Sequence, residues 1–170
     1  MGRTWLLAAV LVVTGCTDAP AEPRPGEAGA ASGAADVGRG VAALRSCDGP
    51  AEPVTALPLP EGVVAVRICE AMGNFSWQAP KRVLTERVDD LVRHIDVQPR
   101  WETGQGCQKG GGVGFDLRMA YADGSVLSLP GTTGGCRTLA VRESAYEGAP
   151  LVRESFLAGL RAQRGEVRDP

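Results

Sequence analysis

The chain reads as an α+β domain, a small antiparallel sheet of about four strands packed with two amphipathic helices and stapled by two disulfides. Three observations predict this class. Apolar residues recur at helical spacing in two places, Leu84, Val88, Leu91, Val92 and Ile95, then Val152, Phe156, Leu157 and Leu160. Between them Val113, Phe115, Leu117, Met119 and Tyr121 alternate strictly, the period of a strand with one buried face. Finally, Cys47, Cys69, Cys107 and Cys136 form an even set in a chain whose start looks like an export signal. A length of 170 residues allows one modest domain and a tether.

The folded part is placed at 41–170. Residues 41–47 suit a short helix or strand, after which Pro50, Pro53, Pro58 and Pro60 rule out a central strand or helix. Val63 to Cys69 follows as a strand with Val64, Val66 and Ile68 on one face. The clearest helix is predicted over Thr85 to Asp96, with Thr85 as N-cap and Glu86 in the first turn. The alternating strand then meets Ala122-Asp123-Gly124. A two-residue turn would throw Leu127 and Leu129 onto the face opposite Leu117 and Met119. A three-residue turn with Gly124 left-handed pairs Tyr121 with Ser125 and puts all four on one face. The second register is the one expected. A strand over 137–142, then a helix from Pro150 to about Arg164 stopped by Gly165, complete the order β, α, β, β, β, α.

Four cysteines permit three connectivities. Pairing Cys47 with Cys69 would pin the proline-rich loop to the strand after it, and pairing Cys107 with Cys136 would close the base of the hairpin. Zinc is the alternative, but the cysteines are not closely spaced and His94 is the only histidine, so no metal and no cofactor are expected.

The first fifteen residues have the layout of a secretory signal. Arg3 precedes an apolar run from Trp5 to Val13, too short to span a bilayer, and a small-residue site ends it. Val13-Thr14-Gly15-Cys16 resembles the lipobox of bacterial lipoproteins. The resemblance implies cleavage after Gly15, acylation of Cys16 and anchoring on the extracytoplasmic face of the cell membrane, with the bilayer as the first partner. Two or more acyl chains make such anchoring stable. An ordinary signal peptide with an incidental cysteine is the other reading. From Thr17 to about Arg39 the chain is rich in Ala, Gly and Pro without apolar periodicity, so 16–40 is expected to be a disordered tether. From Val41 onward the pattern loosely resembles the small Cys-paired domains of uncharacterised actinobacterial lipoproteins.

Function is less legible. A formal net charge of −2 lacks the basic footprint of a nucleic-acid binder. His94 has no adjacent nucleophile motif and is read as a boundary residue of its helix. Asp89 and Asp90 are neighbours on that helix, Asp116 sits opposite the apolar stripe of its strand, and Asp123 belongs to a turn. Gly110 to Gly114 opens a strand rather than a helix, unlike a phosphate-binding loop. No catalytic residue is assigned. Trp77 and Trp101 stand in loops, where aromatics either cap a core or anchor a ligand. The expected function is a tethered, non-catalytic binding or interaction module with an envelope protein or glycan as partner. A carboxylate-based envelope hydrolase is the alternative, and an inert spacer a third.

Overall fold

The structure, a computed structural model, describes residues 25–71, 77–102, 104, 106–107 and 111–165, with backbone only over 25–32. The predicted leader with Cys16 and Gly110 lie outside the described residues. The element order is α1 (Pro25–Ala43), β1 (Glu52–Pro53), β2 (Val63–Glu70), α2 (Val88–Asp96), β3 (Gly114–Tyr121), β4 (Val126–Thr132), β5 (Leu139–Val141), β6 (Ser144–Tyr146) and α3 (Ala149–Gln163).

The hairpin β3–β4 sets the frame. Met119 pairs with Leu127 and Leu117 with Leu129, the register expected from the three-residue turn. Gly124 has φ +89°, and the Tyr121 and Gly124 amides close the turn on Ser125 and Tyr121 carbonyls, each at 3.0 Å. Asp123 accepts from the Ser125 amide and hydroxyl, which hold its carboxyl below the usual carboxylate range. β2 adds antiparallel on one side of β3, and β5 and β6 extend the sheet beyond β4 in the order β2-β3-β4-β5-β6. β1 runs parallel to β4 at Leu127 and Ser128. The α+β class therefore holds, with six strands rather than about four. The extra two are β1 and β6, of two and three residues, too short to show a period in sequence.

Phe115, Leu117, Met119, Val66 and Ile68 point from one sheet face into a core completed by Leu91 and Ile95 of α2 and Val152, Phe156 and Leu160 of α3. Phe115, Phe156, Leu117 and Met119 are wholly buried there. Gly131, opposite Phe115 on β4, leaves room for its ring, because a Cβ at Gly131 would come within 2.5 Å of it. α3 matches expectation, with Gly165 left-handed at its end.

The opposite face is also covered, which adds a third layer. Leu44 and Ala65 pack with Ala120, and Gly40 of α1 sits so close that a Cβ there would meet Val64 at 2.6 Å. Arg39 donates to the Ala122 carbonyl at 2.6 Å, fixing α1 to the hairpin turn. Pro25–Ala43 is thus helical where the sequence reading places an unstructured tether. An alanine-rich stretch opened by proline has the propensity for a helix, and the docked C-terminal turn supplies the packing that propensity alone lacks.

A second departure concerns α2, which starts at Val88, one turn after the predicted Thr85. Leu84 is recruited as an extra bridge on β2, exchanging bonds with Val66 at 2.9 and 2.7 Å, so the chain stays extended there. Thr85 caps nothing in α2. Its amide donates to the Gln163 side chain at 2.9 Å, and left-handed Arg87 turns the chain into the helix.

Candidate functional site

The two predicted disulfides are present, Cys47 with Cys69 and Cys107 with Cys136, with Cα–Cα distances of 5.8 and 4.5 Å. They do different work. The first ties the proline-rich loop to β2. Around it, Arg67 donates to the Leu44 and Arg45 carbonyls at 2.7 and 2.5 Å, and Arg118 to the Gly49 carbonyl at 2.6 Å. Asp116, a candidate carboxylate in sequence, belongs to this brace. It accepts from Arg118 at 3.0 Å and from Ser128 at 2.6 Å.

The second disulfide backs a cleft at the start of α3. Trp101 reaches it because its segment is stitched to the edge strand β6. The Trp101 amide donates to Ala145 at 2.8 Å, Arg100 bridges Tyr146 and donates to the Ser144 hydroxyl at 2.7 Å, and the Glu147 amide donates to Pro99 at 2.9 Å. From the other side the Ala149 amide donates to the Arg137 carbonyl at 3.2 Å, locking the first turn of α3 to the residue after Cys136. The result is an open cleft of about 410 Å³ lined by Trp101, Cys136, Arg137, Glu147, Gly148, Pro150, Leu151 and Glu154. Its lining combines apolar Trp101, Pro150 and Leu151 with two carboxylates and one guanidinium. Leu151 is 60% exposed, unusual for a leucine in a docked helix.

The two tryptophans are separated by role. Trp77 packs against the main core, and the Arg153 guanidinium lies over its ring at 4.8 Å, a cation–π contact. Trp101 faces the cleft. Sequence position alone could not sort them, since each stands in a loop.

His94 and Asp90 lie together on the wall of a second, smaller cleft of about 200 Å³ between α2 and α3, with Arg87, Leu84, Leu91, Ser155, Ala158, Gly159 and Ala162. Asp90 bonds to Arg87 at 2.9 Å and Arg93 at 3.1 Å, and these two cations hold its carboxyl below the usual range. His94 Nδ1 is 2.9 Å from the Ser155 hydroxyl, a partner 61 residues away that no local motif announces.

Tyr121 donates to the Pro60 carbonyl at 3.2 Å, and burial, then the charges of Asp96 and Asp123, push its phenol up. Asp96 itself accepts from the Leu59 amide at 2.8 Å and so fastens the proline-rich loop to α2. Among the described residues no group of three His, Cys, Asp or Glu side chains is placed to hold a metal ion, and no helix is long and apolar enough to cross a membrane. No protein-family model, curated protein or solved structure matches this chain.

Proposed function

We propose that the protein is a lipid-anchored envelope module, held at the membrane through acylated Cys16, that binds a glycan chain in the Trp101 cleft. The observation that carries this reading is that Trp101 and exposed Leu151 line one open cleft together with Arg137, Glu147 and Glu154. A binding site of this kind needs apolar area for affinity and a few placed polar groups for orientation. An indole offers a flat, rigid face to the C–H side of a sugar ring, while carboxylates accept from its hydroxyls and a guanidinium donates to them. Strand pairing holds the Trp101 backbone in place, which reduces the ordering left for the binding step. Anchoring rests on the lipobox resemblance.

Binding of the full-length protein to isolated envelope polysaccharide, measured by co-sedimentation and titration, tests the reading. Trp101→Ala weakens binding by at least about tenfold, roughly 1.4 kcal/mol. Trp77→Ala lowers the thermal midpoint and leaves the affinity of the folded protein unchanged. Capture of a protein at the cleft by site-specific crosslinking, with no polysaccharide bound, would replace the glycan by a protein partner. For the anchor, Cys16→Ala removes the acyl mass from the mature N-terminus and releases the protein from the membrane fraction.

A further inference from the structure

We propose that the cleft between α2 and α3 is an acyl-transfer site in which Ser155 is the nucleophile and His94 its base, acting on short-chain acyl esters. Ser155 stands in the second turn of α3 and His94 in the last turn of α2, yet their hydroxyl and Nδ1 meet at 2.9 Å. A serine inside a helix ordinarily bonds back to a carbonyl of its own helix. Here the bond crosses to the neighbouring helix and opens onto a concave space. For the hydroxyl to donate, Nδ1 carries the lone pair and Nε2 the proton, which is the tautomer a general base needs.

The surroundings suit the chemistry. Leu91, Ala158 and Ala162 give an apolar wall, and about 200 Å³ limits the acyl group to a short chain. Arg87 borders the same cleft with its Nε bonded to Asp90, a cation of the sign a developing oxyanion requires. Asp90 lies one turn before His94 on the same face of α2 and borders the cleft. Its oxygens are bonded to Arg87 and Arg93.

The step balances with water alone. Ser155 Oγ attacks the ester carbonyl carbon as its proton passes to His94 Nδ1, and the imidazolium returns that proton to the departing alkoxide. Water then attacks the acyl-serine, again giving its proton to His94, and the serine hydroxyl is restored as the carboxylic acid leaves.

A fluorophosphonate probe on the full-length protein, with peptide mapping, tests this directly. The expected result is labelling at Ser155, hydrolysis of p-nitrophenyl acetate faster than of the octanoate, and loss of both reactions by about 100-fold or more in His94→Ala. Labelling spread over exposed serines, or undiminished at Ser155 in His94→Ala, would overturn the proposal. Should Ser155→Ala or His94→Ala unfold, the thiol of Ser155→Cys keeps the test open. Its alkylation by iodoacetamide is to be several-fold faster with His94 than with His94→Gln, and equal rates would refute the dyad. Trp101→Ala leaves the labelling intact, which separates this site from the glycan cleft.

Discussion

The two faces of the sheet are closed by different chemistry. The face toward α2 and α3 is sealed by large apolar side chains, with Phe115, Leu117, Met119 and Phe156 wholly buried. The face toward α1 carries, among the described residues, only Ala65, Ala120 and Leu44 as wholly buried apolar residues, and is held by a disulfide and by two arginines bonded to backbone carbonyls of the 44–49 segment. Apolar burial is non-directional and scales with area, whereas the second face depends on bonds that must each be made. A small domain with too little apolar residue for two cores can still cover both faces this way.

The largest expected effect comes from the apolar face. Phe115→Ala removes a buried ring whose space Gly131 cannot refill, and costs about 3–5 kcal/mol in denaturant unfolding. On the other face, replacing Cys47 and Cys69 together by alanine costs about 2–4 kcal/mol, measured against the intact protein under non-reducing conditions. The comparison sharpens if the loss in the second variant is accompanied by rapid amide exchange confined to 41–50, leaving β3 and β4 protected. Uniform loss of protection would mean that the two faces fold as one unit. Third in size is Arg118→Met, which keeps the stem over the sheet but strips the Gly49 carbonyl and Asp116 of a half-buried donor, at about 1–3 kcal/mol.

The same contrast explains what could be read from sequence. The apolar face announces itself by period. The alternation in β3, the stripe in α3 and the choice of hairpin register all follow from keeping Leu117, Met119, Leu127 and Leu129 together, and the structure keeps them together. The bonded face has no period. Arg67 and Arg118 look like ordinary solvated charge until their carbonyl partners, in the 44–49 segment far back along the chain, are seen. Short pieces escape for a related reason. β6 is reached through a turn at Arg142 with φ +50°, a residue that sequence reasoning does not place in a left-handed position. Leu84 carries helical spacing but is claimed by β2, so tertiary pairing overrides local pattern and delays α2 by a turn. Of the candidate sites, Trp101 is visible in sequence as a loop aromatic, yet its separation from Trp77 requires the fold. The meeting of His94 with Ser155 is a property of helix packing alone.

The smallest effect belongs to the solvent side of the apolar layer, where Asp90 sits between Arg87 and Arg93. Its carboxyl is lowered in the folded protein, first by the bond from Arg87 and then by that from Arg93. The stabilisation is therefore complete above the ordinary aspartate value of 3.8 and is lost as pH falls through the lower folded value. Asp90→Asn should flatten that part of the acid unfolding profile and leave the profile near neutrality almost unchanged. About 1 M salt should produce the same flattening in the unmodified protein, because exposed pairs are screened over a few ångströms at that strength. A loss in Asp90→Asn that persists undiminished in high salt would move Asp90 from the screened surface into the structural frame, and the helical face would then depend on directed bonds as the other face does.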